Sequence, residues 1–311
     1  MKTVLVSGLI NMETSVRVRQ FPVAYYPIDY PFFGVHTAVS GVAYNIAKAL
    51  HTLEDEVNLL TMTGKDFPAE YIRSELKAAG ISTEHIRPKL WQTPNSVVLY
   101  DGEGKRQIYC DLKDIQEAEY GFDMGICEEA DIVVACNTNF NRPLLHLARE
   151  AGKIIATDVH VLRQIDDGYN RDFMENADIL FLSDEGIGED YGSFLLELAR
   201  RYTSHIIVLG RGGRGAAMYI REENRIYELP AIRVGDIVNT VGAGDALFSG
   251  FIHYYAKGQE ALEALIRAEL FAAAKIRCSG AAEGFVGEAE LEQLYDSHAG
   301  ALKATLNHRE V

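Results

Sequence analysis

Short runs of β-branched and aliphatic residues alternate with stretches of helical periodicity along most of the chain, and that alternation permits few folds. Val4–Gly8, Val57–Thr61, Ile132–Ala135, Ile154–Thr157, Ile179–Leu182 and Ile206–Leu209 read as strands. Val42–His51, Ala69–Ala79, Pro143–Glu150, Gly192–Tyr202, Ala246–Ala256 and Ala261–Ser279 read as helices. Such alternation predicts an α/β fold whose mainly parallel sheet is covered by helices. Gly80, Gly152 and Gly280 follow three of these helices, where left-handed caps are expected. A single domain over residues 1–311 is long enough to bury its own core.

Two segments break the pattern. Residues 12–36 carry alternating Val16-Arg17-Val18-Arg19, then an aromatic and proline-rich stretch with Phe21, Tyr25, Tyr26, Tyr30, Phe32 and Phe33. Residues 92–111 read as a hairpin, Ser96–Tyr100 and Arg106–Cys110 around Asp101-Gly102-Glu103-Gly104. The two read either as a small antiparallel sheet projecting from the body or as ordinary surface excursions.

Charge and cysteine usage narrow the function class. With 30 basic against 45 acidic residues the net charge is −15, which argues against a broad nucleic-acid or anionic-membrane surface. Cys110, Cys127, Cys136 and Cys278 have no metal-finger or redox spacing, and the nine histidines show no clustered ligand spacing. His253 reads as a packed or surface residue. The apolar start, Val4 to Ile10, is too short for a signal sequence, so a cytoplasmic location is expected.

The chemistry is concentrated at Asn239-Thr240-Val241-Gly242-Ala243-Gly244-Asp245, which runs into the apolar helix from Ala246. Gly242, Ala243 and Gly244 fall at that helix's N-terminus, where main-chain N–H groups lack partners and the dipole favours an anion. Asp245 lies in the first turn, beside the place an anion would take. A loop with a first-turn acid that merely complements the dipole is the alternative. As a whole, the string resembles the C-terminal signature of the ribokinase-like (PfkB) carbohydrate kinases, with Asn239 in place of the leading Asp. The resemblance implies a three-layer αβα sandwich with a mainly parallel central sheet and a small antiparallel β lid from residues 12–36 and 92–111. It implies Asp245 as catalytic base, the Gly242–Gly244 backbone as anion hole, ATP and Mg²⁺ as cofactors, and a homodimer formed through the lid. A monovalent cation, K⁺, often sits near the position of Asn239 in that family.

Further motifs fit the same family. Ser40-Gly41-Val42-Ala43-Tyr44-Asn45 resembles its N-terminal Gly-Gly motif, with Gly41 and Asn45 as substrate contacts and Ser40 replacing the first glycine. Asn11 and Glu13 stand where the family carries a sugar-binding acid, and a carboxylate can accept from two adjacent hydroxyls. A solvated loop acid is the other reading of Glu13. Gly64-Lys65-Asp66 resembles a structural turn. Asn137 and Asp158 follow strands, at the sheet end where open α/β folds bind ligands. Ser183 and Glu185 lie where the family organises Mg²⁺ and phosphate, although Gly186 takes the usual Glu place.

Gly210-Arg211-Gly212-Gly213-Arg214-Gly215 satisfies a dinucleotide fingerprint, but a hairpin pattern and not a helix follows it. The resemblance instead sets Arg211, Gly212, Gly215, Thr240 and Gly244 against ATP. None of the Gly-Lys pairs, at 64, 104 and 152, is followed by Ser or Thr, so no Walker sequence exists. The resulting expectation is an ATP-dependent kinase acting on a hydroxymethyl group of a sugar or nucleoside, leaning to a ribose-bearing acceptor. The aromatic lid suits base stacking, a dimer contact or a local mini-core. A sugar or nucleotide sensor on a degenerate kinase fold, and an NAD-dependent oxidoreductase, are the other readings.

Overall fold

The computed structural model describes residues 1–103 and 105–310, so Gly104 of the expected hairpin turn lies outside the described residues. In chain order the elements are β1 (Thr3–Ser7), β2 (Asn11–Arg17), β3 (Val35–Ser40), α1 (Val42–Thr52), β4 (Glu56–Met62), α2 (Phe67–Ala78), β5 (Ile86–Arg87), β6 (Asn95–Tyr100), β7 (Arg106–Asp111), β8 (Ile132–Ala135) and α3 (Arg142–Glu150). They continue as β9 (Ile154–Val161), α4 (Arg171–Asn176), β10 (Ile179–Ser183), α5 (Tyr191–Arg201), β11 (Ile206–Gly210), β12 (Ala216–Ile220), β13 (Arg225–Leu229), α6 (Ala243–Ala256), α7 (Ala261–Lys275), α8 (Glu288–Ala304) and β14 (Asn307–Glu310).

Ten strands make one sheet in the order β14-β13-β12-β11-β10-β9-β8-β1-β4-β5. Pairs from β11 to β5 are parallel, and β11 to β14 pair antiparallel. Strand alternation explains the three layers. Val4 and Val6, Ile132 and Val134, and Ile206 and Val208 enter one core with Leu50 of α1, Phe248 of α6, Leu270 of α7 and Leu291 of α8. Their neighbours Leu5, Val133 and Ile207 enter the opposite core with Leu144 of α3, Phe173 of α4 and Leu195 of α5. Phe248 and Phe251 are fully buried and meet Phe181 edge-on at 4.9 and 5.3 Å between ring centroids. Each buried ring contributes roughly 2–3 kcal/mol, which pins α6 across the sheet near its carboxyl ends.

The sequence-derived elements hold with local differences. Helix α2 starts at Phe67 because the Asp66 carboxylate accepts from the Ala69 N–H at 3.2 Å and Pro68 occupies the first turn. Strand β9 runs on to Val161, past Asp158, after its register against β10 slips beyond Phe181. Gly80 and Gly152 take left-handed φ of 77° and 64° just after α2 and α3. Gly280 does not cap α7: the helix ends at Lys275, and Gly280 lies in the following loop. Helices α4 and α8 and strands β5 and β14 were not anticipated. Helix α8 buries only Leu291, Ala299 and Leu302, too sparse a stripe to stand out in sequence.

The smaller sheet has the order β3-β2-β6-β7. It is antiparallel within both hairpins, β2–β3 and β6–β7, which join through a parallel β2–β6 pair. Between β2 and β3, Tyr25, Tyr30, Phe32 and Phe33 are 69–97% exposed, which excludes the mini-core reading. No helix among the described residues is long and apolar enough to cross a membrane.

Candidate active site

Helix α6 opens at Gly242, whose φ of 79° turns the incoming loop onto the helix axis. Glycine is required there twice over, because a Cβ would also run into the Ala281 carbonyl. Among the described residues the amides of Gly242, Gly244 and Asp245 find no acceptor, whereas the Ala243 amide donates to the Thr240 carbonyl at 3.2 Å. The free donors are therefore Gly242, Gly244 and Asp245, and Ala243 leaves the expected set. Gly244 is exposed, and nothing lies within 4 Å of where its Cβ would be. Three unpaired N–H groups at a helix start, with open space at Gly244, suit an anion site.

Asp245 follows in the first turn of the same helix. The Asn45 amide nitrogen, 200 residues away in sequence, donates to its Oδ2 at 2.7 Å. Burial pushes the Asp245 carboxyl above its ordinary range, with nearby Asp158 adding to the rise. The Asn45 bond and the charges of His160 and Lys275 oppose it. A carboxylate of raised basicity beside an anion site suits proton removal from a hydroxyl.

The N-terminal residues converge from the other side. Gly41 starts α1 at φ 106°, and its Cβ position lies 2.6 Å from the Leu9 carbonyl, so chain packing and not a ligand demands glycine. Asn45 is 4% exposed, and its Oδ1 has no partner among the described residues. Asn11 is equally buried: its Nδ2 donates to the Ser96 hydroxyl at 3.0 Å, and its Oδ1 is unpaired among the described residues. Glu13 is no loop acid. It sits partly buried on β2, accepts from the Ser40 hydroxyl at 3.1 Å, and is shifted upward by burial against the opposing pull of Ser40 and Arg106.

Asp158 lies within β9, accepts from the His160 N–H at 2.7 Å and stands 3.6 Å from the His160 ring. His160 has a φ of 59°, a strained geometry for a non-glycine residue that holds the imidazole against that carboxylate. Asn137 donates to Asn170 at 3.0 Å, further along the same sheet end. No motif pointed to His160. Lys275 was missed as well, although a lone lysine after Phe271-Ala272-Ala273-Ala274 was a visible anomaly. It is fully buried, and burial pushes its ammonium down to about 8 against the pull of Asp245.

The expected nucleotide residues are more loosely arranged. Gly210–Gly215 joins antiparallel β11 to β12, which removes the dinucleotide reading. Gly215 has φ 91° and packs its α-carbon against the Leu229 carbonyl, while Gly212 begins the tight turn at φ 53°. Arg211 does not point free. Its guanidinium lies 3.8 Å from the Tyr191 ring centroid and 3.9 Å from Asp184, which also pairs with Arg214. The Ser183 hydroxyl accepts from the Glu185 N–H at 3.2 Å, and Glu185 and Thr240 are exposed. His253 is fully buried and bonds Asp55 at 2.7 Å, a packed residue as expected. A cavity of about 500 Å³ lined by Gln116, Tyr120, Asn139 and His146 includes none of the candidate site residues.

Comparison with known proteins shows the family and the fold. A family model described as pfkB family carbohydrate kinase matches residues 1–286. The ATP-dependent ribose-1-phosphate kinase of Halopiger xanaduensis is 26% identical over 81% of this chain and 84% of its own. The microbiome-derived acarbose kinase Mak1 superposes with a TM-score of 0.84 at 23% identity, covering 95% of this chain and 99% of that one. The Burkholderia thailandensis nucleoside kinase in complex with inosine gives 0.78 at 19%, covering 96% of this chain and 97% of that one.

Proposed function

This chain belongs to the pfkB family of carbohydrate kinases, and from that premise we propose that it transfers the γ-phosphoryl group of ATP to a hydroxymethyl group of a sugar or nucleoside. As a phosphotransferase it needs a base, an anion hole and a seat for the acceptor. The carrying observation is the Asn45–Asp245 bond at a helix start whose Gly242, Gly244 and Asp245 amides have no acceptor among the described residues. Asp245 takes the hydroxyl proton as the oxygen attacks phosphorus in line. The amides of Gly242, Gly244 and Asp245 hold the charge that develops on the transferred group. The unpaired Oδ1 atoms of Asn11 and Asn45, with the Glu13 carboxylate, are acceptors for the donor hydroxyls of the substrate. Buried acceptors left without partners are costly, so a polyhydroxylated ligand is what relieves them.

Mg²⁺ belongs to this reading as a companion of the nucleotide. Among the described residues no three His, Cys, Asp or Glu side chains gather as a cage, while Glu185 offers one exposed carboxylate near the end of β10. That donor set fits an ion held chiefly by phosphates and water, with Glu185 reaching it through water. When bound, the ion neutralises charge on the β- and γ-phosphates.

Ribose-bearing acceptors head the candidates, because the exposed Tyr25, Tyr30 and Phe32 can stack a base. ADP formation measured against ribose-1-phosphate, free pentoses, hexoses and nucleosides, with and without each acceptor, tests the reading. An acceptor that raises ADP release at least about tenfold, abolished in Asp245→Asn, supports it. Undiminished turnover in Asp245→Asn would remove the base from Asp245.

A further inference from the structure

Lys275 poses a physical problem that the catalytic reading leaves open. Its side chain is fully buried, yet among the described residues no carboxylate lies within ion-pairing distance of its ammonium. An uncompensated buried cation is expensive. Its partners are main-chain oxygens instead: Nζ donates to the Val241 carbonyl and, at 2.6 Å, to the Gly280 carbonyl. Lysine also ends α7, where the helix carbonyls favour positive charge.

Those two carbonyls are not arbitrary. Val241 immediately precedes Gly242, the left-handed residue that starts the anion hole. Gly280 immediately precedes Ala281, whose carbonyl is the wall against which Gly242 packs. The same junction is held by the Val238 and Asn239 amides, which donate to the Ile276 carbonyl at 2.9 and 3.1 Å. Asn239 closes its own turn by accepting from the Val241 N–H at 2.8 Å. One ammonium therefore ties together the two loops whose meeting fixes the Gly242 and Gly244 amides. A charge surrounded by carbonyl dipoles is also the way proteins bind a potassium ion.

We infer that the Lys275 ammonium is a built-in monovalent cation, occupying the carbonyl cradle behind the anion hole so that the enzyme needs no potassium. The residues near Asn239 thus do not fit the K⁺ that the family resemblance implied, since the Val241 and Gly280 carbonyls beside it already hold the lysine. Lys275 acts through Val241 and Gly280 and touches no reacting atom, so it is a positioning residue. This inference rests on the kinase reading for its activity arm only.

The test compares wild type, Lys275→Ala and Lys275→Met in tetramethylammonium chloride and in potassium or ammonium chloride at equal ionic strength. Wild-type kcat is expected to change less than twofold, while Lys275→Ala loses about 10- to 100-fold, the usual cost of misplaced catalytic groups. Potassium or ammonium ion should restore about tenfold in Lys275→Ala, and tetramethylammonium, too large for the cradle, should restore nothing. Melting temperature with ADP bound supplies a readout free of turnover: potassium should raise it in the alanine variant and leave wild type unchanged. Potassium stimulation of wild type above about threefold would overturn the inference, as would full activity of Lys275→Ala without potassium. If neither variant folds, the wild-type potassium titration decides alone. If no acceptor is turned over, the kinase reading fails while the melting measurements still judge the cation.

Discussion

The anion-hole corner and the aromatic tip of the lid are built on opposite terms. At the corner, contacts join residues distant in sequence: Asn45 to Asp245, Lys275 to Val241, Gly242 against Ala281. At the tip, residues 19–34 carry local contacts, chiefly the exposed Arg19–Asp29 pair at 2.7 Å and Arg19 over Tyr26 at 4.6 Å. Chemistry needs donors fixed before the substrate arrives, because reorganising dipoles during reaction costs rate. A surface that closes on a ligand or on another subunit needs exposed area more than rigidity.

The largest expected effect lies at the corner. Asp245→Asn keeps the size and the Asn45 contact and should lower kcat by about 10² to 10⁴, read by ADP release. The same variant should be more thermally stable at pH 7. Because burial raises the folded-state pKa of Asp245 above 3.8, the stability linked to its proton is full below the unfolded value and is lost as pH rises through the folded one. Asparagine never ionises, so the melting gap should narrow as pH falls towards 3.8. A variant both inactive and less stable would break the contrast between catalytic strain and ordinary packing.

Two neighbouring glycines sharpen it further. Gly244→Ala adds a methyl to open space above the donors, so it should fold normally and lose about tenfold in kcat/KM by crowding the phosphate. Gly242→Ala must hold a left-handed φ and displace the Ala281 carbonyl, so a stability loss of about 1–3 kcal/mol or more is expected in denaturant melts. Equal behaviour of the two would contradict the assigned geometry.

How much of this was legible in sequence follows the same division. The central strands were readable because each is apolar on both faces, and α6 because it is apolar nearly all round. Asp245, Asn45 and Gly242 were readable because the chemistry is packed into contiguous motifs. His160 was not: its role depends on a backbone turn after Asp158 that no neighbouring residue announces. The Ala243 amide was misassigned because only the folded loop reveals its bond to Thr240. Arg211 likewise looked free until Tyr191, 20 residues earlier, proved to lie under it. Short helices and sparse stripes, as in α4 and α8, carry too little periodicity to be seen.

A smaller effect concerns protonation. The Asn45 bond favours ionised Asp245, so Asn45→Ala should raise the pKa of Asp245 and move the acid limb of the kcat/KM profile to higher pH. Activity loss at neutral pH should then be partly recovered at alkaline pH. A uniform loss with an unmoved limb would reduce Asn45 to an acceptor-binding residue.

The smallest energetic effect belongs to the lid tip, and it is the most discriminating about partners. Phe32 and Phe33 are 83% and 97% exposed, so Phe32→Ser with Phe33→Ser should change unfolding free energy by no more than about 0.5 kcal/mol. What changes instead separates the two remaining uses of the aromatics. If they cover the acceptor, KM for the acceptor rises while kcat in saturating substrate and the molecular mass in solution stay put. If they join lids of two subunits, the mass by light scattering falls towards one chain, and KM follows protein concentration. An unchanged KM together with unchanged mass would mean that the tip, unlike the corner, has no share in catalysis at all.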